Sequence, residues 1–358
     1  MALALALGRR GLGRVWPNPA VGCVIARGTR VLGRGWTQPG GRPHAEVVAL
    51  AASGDNARGA TAYVTLEPCA HEGHTGPCAQ ALIHAGVARV VIAVGDPDPR
   101  VSGRGIAMLR DAGIEVTVGP GATEAKIDHA GFFSRITQGR PAVTLKLAAS
   151  IDGRIATGSG DSRWITGAAA RRQVHALRAA HDAVMVGSGT VLADDPDLRV
   201  RDLGVGWQPV RIVLDSRLRM APDGRLARSA REAPVWALHG EKLRPGRAEA
   251  LMSAGVRLLP TRASKAGLHM DSALALLGDE GLTRVLCEGG GQVAASLLLA
   301  GAVTRIVAFG AGVVIGAEGQ PNFGALGLGP LAEAPRFDLD RLDRVGNDIC
   351  AQWVPRAP

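Results

Sequence analysis

The chain has 358 residues, 46% hydrophobic and 20% charged, which suggests roughly two ordinary globular domains and excludes a disordered chain. The net charge is +9, yet the 37 arginines and 4 lysines form no dense basic block, and aromatics make up only 3%. A nucleic-acid surface needs clustered cations and stacking rings, so none is expected; the arginines read as scattered solvated charges, with phosphate-bearing small molecules as the remaining reason for them.

In chain order, the opening run MALALALGRRGLGRV has a short apolar stretch with no cation before it and an arginine pair after it, the reverse of a signal peptide. Residues 2–14 are read as the first helix. Strands are expected at 20–26, 60–66, 87–95 and 113–119, and helices at 45–54, 77–86 and 104–113, the last two ending in glycine as C-caps do. FFSRITQGRP (132–141) closes this set with a Gly-Arg-Pro break. The boundary is placed there, giving domains 1–139 and 140–358. A second alternating set follows. Its strands are expected at 142–149, 183–188, 210–215, 234–238, 284–287 and 303–309, and its helices at 167–180, 244–254, 268–278 and 291–300. Residues 198–209 and 316–330 read as loops. Such alternation implies an α/β fold in both halves. No apolar run reaches the roughly 20 residues of a membrane span. The five cysteines (23, 69, 78, 287 and 350) have no disulfide-scaffold spacing, so a cytoplasmic protein is expected. Cys23, on an apolar strand, is read as core.

One stretch carries chemistry. Zinc deaminases of nucleobases use H-x-E followed by P-C-x-x-C. Here His44-Ala45-Glu46 supplies the first half, and Pro68-Cys69 with Cys78, in a wider C-x8-C arrangement, the second. One imidazole and two thiolates leave a fourth zinc position for water, whose pKa zinc lowers to about 7. Glu46 then serves as the proton shuttle. Positions i and i+2 of a helix point about 200° apart, so His44 and Glu46 converge only if His44 sits at the helix's first turn. Pro43 suits such a start. The alternatives are a structural zinc closed by His71 or His74, and no metal at all.

In the second half, EGGGQVAASLLLAG (288–301) sets three glycines between a strand and a helix, where free backbone N–H groups suit a pyrophosphate. RIVLDSR (211–217) ends a strand with Ser216 and Arg217, suited to a ribose 2′-phosphate and hence to NADPH. No G-x-G-x-x-G dinucleotide unit opens this half.

With PNPAVGCVI (17–25), PHAE (43–46), VTLEPCAHEGHTGPC (64–78), GDPDPRVSGRG (95–105), LKLAASIDGRIA (145–156), WITGAAARRQVHALRA (164–179) and GSGTVLADDPDLRVR (187–201), the chain resembles the bifunctional riboflavin-biosynthesis deaminase–reductase family nearly end to end. The resemblance implies an N-terminal cytidine-deaminase-like α/β/α domain and a C-terminal dihydrofolate-reductase-like α/β domain. It implies deamination of a phosphorylated diamino-pyrimidinone at zinc held by His44, Cys69 and Cys78, with Glu46 as acid/base, followed by NADPH reduction of the ribosyl side chain to ribityl. Asn18 would bind the ring, and His71 and His74 lie in a loop expected near the substrate phosphate. Further substrate contacts would be Lys146, Ser162, Arg178, Leu198, Arg201 and Glu288. Cofactor contacts would be Ala148, Trp164, Thr190, Asp194, Ser216, Gly290 and Gly291. A solvated charge at Arg178, a structural salt bridge at Lys146 and a core role for Trp164 stay open. Thr37, His74 and Asp98 depart from the family pattern. The partners implied are a small phosphorylated pyrimidine and a second copy of the chain as homo-oligomer, with no nucleic acid and no membrane. The competing function is a nucleic-acid or nucleoside base deaminase with a C-terminal binding module; scattered charge and the C-x8-C spacing count against it.

Overall fold

The computed structural model describes residues 1–72, 76–241, 243, 245–264 and 267–356, so His74 lies outside the described residues. The chain divides into two compact units, Met1–Arg140 and Pro141–Pro358.

The N-terminal unit is built on a five-stranded sheet in the order Arg30–Trp36, Gly22–Arg27, Thr61–Val64, Arg89–Ile92, Glu115–Val118. The first three strands run antiparallel and the last three parallel. Ala45–Ser53 packs on the first two strands and on Cys78–His84, which meets Arg104–Asp111; Ala2–Gly8 packs on the same two strands and on Ala122–Gln138. Cys23, Ile25, Val64, Leu82, Val90, Ile92 and Leu109 form the core, so Cys23 is a core residue.

Three features differ from the sequence reading. The first helix stops at Gly8 and continues only as a 3-10 turn, Arg9–Gly11. Residues expected to break the chain at 132–138 instead complete a 17-residue helix, Ala122–Gln138, flanked by the left-handed Gly121 (φ 80°) and Gly139 (φ 68°). The strand Arg30–Trp36 is unanticipated because two of its seven residues, Gly33 and Gly35, are poor strand formers. Their reason is contact. A Cβ on Gly33 would lie 2.1 Å from the Ala49 carbonyl oxygen, and one on Gly35 2.0 Å from that of Ala45. Both glycines let the helix that carries Glu46 lie with its backbone on the sheet.

The C-terminal unit has a nine-stranded sheet in the order Arg257–Pro260, Val235–His239, Val210–Leu214, Ala183–Gly187, Arg284–Cys287, Ala142–Ser150, Val303–Ala311, Asp348–Pro355, Phe337–Val345. The first seven are parallel, and the last two add an antiparallel edge. Ala183–Gly187, Val210–Leu214 and Val235–His239 are buried at every residue, as expected where helices cover both faces of a parallel sheet. The edge strands Arg257–Pro260 and Phe337–Val345, the strand Asp348–Pro355 next to the second edge and the helix Ser188–Asp194 escaped the sequence reading, the first and last being short and Phe337–Val345 rich in alternating charge. The parallel strands end on one side, the side where α/β sheets bind ligands.

Candidate active sites

In the N-terminal unit, His44 is the N-cap of Ala45–Ser53, with extended backbone (φ −70°, ψ 161°), so it stands one residue before the helix and not in its first turn. This placement resolves the i, i+2 difficulty. The His44 side chain departs before helical rotation begins, and Glu46, at the second helical position, turns into the same pocket with only 3% exposure. Cys69 follows the central strand, and Cys78 opens the helix Cys78–His84. His44 Nδ1 lies 3.2 Å from Cys78 Sγ and 3.8 Å from Cys69 Sγ, and the Cys78 backbone N–H donates to Cys69 Sγ at 3.3 Å. The three ligand atoms all fall within 4.8 Å of one another, and among the described residues no fourth His, Cys, Asp or Glu joins them. His71 in particular stays out of the group, its Nδ1 buried without a hydrogen-bond partner.

The electrostatics match a cation site. Cys69 is drawn down to about 4, first by the hydrogen bond from the Cys78 thiol and then by His44, against the cost of burial. His44 is raised, chiefly by its bond to Cys69. The Cys78 thiol is raised because it donates to Cys69 and is buried. Burial, and next the Cys69 charge, push Glu46 up to about 7. A nitrogen and two sulfurs, one already thiolate, are the donor set zinc takes in three-ligand sites, and Glu46 stands beside them without being one of the three.

Neighbouring residues set this geometry. Asn18 packs against Gly41, three residues before His44: a Cβ on Gly41 (φ 85°) would lie 1.9 Å from Asn18 Nδ2. Thr37 is buried and structural, its Oγ1 accepting the Val21 N–H at 3.0 Å. Asp98 accepts from Arg100 Nη2 at 2.5 Å, and that contact first holds its carboxyl below the usual range. Glu67, to which the sequence reading gave no role, accepts the backbone N–H groups of Asp96 (3.3 Å), Gly103 (3.1 Å) and Ile106 (3.2 Å). It thereby ties the chain just before Cys69 to the start of Arg104–Asp111. Gly105 completes the fit, since a Cβ there would lie 2.0 Å from the Pro68 carbonyl oxygen. The only sequence signal for this grip was an acidic residue at a strand end.

In the C-terminal unit a cavity of about 770 Å³ is lined by Lys146, Ser162, Arg178, Leu198, Arg201 and Glu288, and by Ala148, Trp164, Thr190, Asp194 and Gly290. Eleven of the thirteen residues expected in this half therefore share one cavity. Ser216, at the end of Val210–Leu214, and Gly291, backed by the Gly324 N–H that donates to its carbonyl, do not line it. Arg178 is no solvated charge. Its Nε and Nη2 grip Glu288 at 2.6 and 3.0 Å, and its Nη1 donates to the Arg199 carbonyl at 3.0 Å. Burial alone would raise the Glu288 pKa, but Arg178 holds it low. Lys146 projects from the strand Ala142–Ser150 into the cavity, and burial, partly offset by Glu288, lowers its pKa. Trp164 is 70% exposed, so it is not core; Arg171 stacks on its ring at 4.6 Å. Gly290 lines the cavity and caps the helix Gly291–Leu299, and a Cβ there would meet only Thr190 Oγ1, at an ordinary 3.9 Å. A helix N-terminus at the cavity wall, an exposed indole and several cations fit a phosphorylated dinucleotide. The sequence reading gave no role to three residues that hold this cavity's loop, His175, Gln208 and Arg211; the first and last lie in quoted motifs, but each grips loop backbone, which residue type does not announce.

Comparison with known proteins follows the same division. A family model described as "RibD C-terminal domain" matches residues 141–351, and one described as "Cytidine and deoxycytidylate deaminase zinc-binding region" matches residues 1–94. The riboflavin biosynthesis protein RibD of Escherichia coli (strain K12) is 41% identical over 371 residues, covering 99% of this chain and 98% of that one. That of Aquifex aeolicus is 40% identical, covering 98% and 96%. Among solved structures, Acinetobacter baumannii RibD superposes with a TM-score of 0.88 at 38% identity, covering 99% of this chain and 98% of that one. A diaminohydroxyphosphoribosylaminopyrimidine deaminase/5-amino-6-(5-phosphoribosylamino)uracil reductase of Thermotoga maritima gives 0.86 at 34% identity, covering 99% and 97%. No helix among the described residues is long and apolar enough to cross a membrane.

Proposed function

Because the chain belongs to the RibD family of bifunctional deaminase–reductases of riboflavin biosynthesis, which use zinc and NADPH, we propose a division of labour between its two units. Residues 1–139 deaminate the ring of 2,5-diamino-6-ribosylamino-4(3H)-pyrimidinone 5′-phosphate, and residues 140–358 reduce the ribosyl side chain of the product to ribityl. The observation that carries the first half is the approach of His44, Cys69 and Cys78 to within 4.8 Å, with the buried Glu46 carboxylate beside them.

His44, Cys69 and Cys78 hold the zinc, which when bound supplies Lewis acidity that activates water near neutral pH. Glu46, its carboxyl held near 7, takes the two protons of the water in turn and passes one to the ring nitrogen and the other to the departing ammonia. Asn18, with both a donor and an acceptor, orients the heterocycle's edge.

In the second unit NADPH, when bound, would supply the hydride that, with a proton from solvent, reduces the opened, imine-like carbon of the sugar. Trp164, Thr190, Asp194, Ala148 and Gly290 hold the cofactor against it, while Lys146, Ser162, Leu198 and Arg201 hold the substrate and Glu288 its ribose hydroxyls. Arg178 keeps Glu288 ionised and aimed. The sparse, unpaired cysteines support a cytoplasmic enzyme. The exposed Leu339, Leu342 and Ile349 on the edge strands support a homo-oligomer.

The test supplies the pyrimidine phosphate with and without NADPH and follows ammonia release and nicotinamide absorbance separately. Ammonia without NADPH, and NADPH oxidation only after ammonia release, is the expected result. Release of ammonia from cytidine or transfer RNA, with no NADPH oxidation, would refute the reading.

A further inference from the structure

We infer that His175 is a positioning residue of the reduction step: its ring accepts the Arg201 backbone N–H and so sets where the Arg201 side chain meets the phosphorylated substrate. The inference rests on the reading of Arg201 as a substrate contact.

The segment 197–201 joins no sheet, yet side chains from elsewhere hold its backbone. Arg211 Nη1 donates to the Asp197 carbonyl at 3.1 Å, and Arg178 Nη1 to that of Arg199 at 3.0 Å. Gln208 takes the Val200 peptide from both sides, accepting its N–H at 2.7 Å and donating to its carbonyl at 3.1 Å. His175 Nδ1 accepts the Arg201 N–H at 3.2 Å. Leu198 (φ 60°) and Asp202 (φ 61°) sit in the left-handed region at either side, a conformation that costs a side-chain-bearing residue energy and persists only where contacts impose it.

Of these contacts only the one at His175 depends on a group that changes charge near neutrality. To accept, Nδ1 must carry no proton, so the ring is the neutral Nε2–H tautomer. His175 faces Arg178 on its own helix, Arg201 and Asp202 on the loop, and Glu288 beyond the strand Arg284–Cys287; burial, then the two guanidiniums, lower its pKa. The ring thus stays an acceptor at neutral pH. Protonation in acid sets N–H against N–H and releases Arg201 from this hold.

The test uses the full chain, with the deaminated pyrimidine phosphate supplied directly and NADPH saturating, and measures kcat and KM between about pH 5 and about pH 8. Loss of one such hydrogen bond predicts that H175F raises KM about tenfold with kcat changed much less. H175N, whose amide oxygen takes the place of Nδ1, restores KM near neutrality. Having no proton to gain, it also loses the part of the acid-side rise in KM that wild type owes to His175. R201A raises KM, and H175F combined with R201A is no worse than R201A alone. If R201A raises KM and H175F does not, the positioning role falls while the substrate reading stands. If R201A leaves KM unchanged, the substrate reading falls and takes the inference with it. A full additional factor from H175F on top of R201A would mark a merely structural residue and overturn the inference. Should H175F fail to fold, wild type and H175N decide: identical acid-side rises overturn it, and a flatter H175N profile upholds it.

Discussion

In the N-terminal unit the proposed metal donors and proton shuttle lie between positions 44 and 78, on an extended N-cap, a loop after a central strand and a helix start, with the Glu67 carboxylate tying that loop down. In the C-terminal unit the cavity residues run from Lys146 to Asn322, and several are held by other side chains, as Arg178 holds Glu288 and His175 holds Arg201. The difference follows from what each site binds. A cation demands particular donor atoms at short range, so its residues are few and chemically marked. A dinucleotide and a sugar phosphate ask mainly for shape and scattered hydrogen bonds, which many residue types supply. The first site should therefore fail through single chemical groups, the second through loss of mutual support.

Three experiments separate these behaviours. Glu46→Gln should lower deamination roughly 10²–10⁴-fold while leaving zinc content and NADPH oxidation of a preformed intermediate nearly intact. Parallel loss of both activities in a folded, zinc-loaded variant would break the contrast. Arg178→Leu should strand the Glu288 charge in its buried setting and destabilise the C-terminal unit by about 3–5 kcal/mol in urea unfolding, with ammonia release preserved. Unchanged unfolding would show that the pair contributes nothing net.

The third concerns His181, buried in the same unit with Nδ1 on the Leu177 carbonyl (2.7 Å) and Nε2 on Thr144 Oγ1 (2.9 Å). Burial, then Arg284, lowers its pKa to about 3. Below the ordinary value near 6.5 the unfolded chain takes up a proton that the folded chain refuses, so stability falls with pH from there toward 3. About 2 kcal/mol should be lost between pH 6.5 and pH 5, and His181→Gln should remove that slope. A wild-type stability flat across this range would contradict the buried neutral ring.

The sequence made the α/β alternation of both halves legible, because apolar runs and glycine stops report packing directly. The strand Arg30–Trp36 was hidden because Gly33 and Gly35 serve a neighbouring helix and not their own strand. The helix Ala122–Gln138 was hidden because its last residues were read only for the Gly-Arg-Pro break that follows them, and Gly139 in fact caps the helix. His44, Glu46, Cys69 and Cys78 could be read from residue type and spacing, although His44's position before the helix could not. Glu67 and His175 stood inside quoted motifs and Gln208 outside them, yet none was given its role, since a side chain that grips backbone can be polar in many ways and carries no fixed spacing. Ser216 at a strand end and the glycine turn holding Gly291 were read from residue type as well as from the family pattern, yet neither Ser216 nor Gly291 lines the cavity.

Gly105 touches no ligand, yet the absence of its side chain decides how closely a whole helix seats against the carbonyl of Pro68. A single methyl group there would force the helix and the Pro68 carbonyl apart, right beside Cys69. The seating of one proposed donor thus depends on a missing side chain some 36 positions further along the chain.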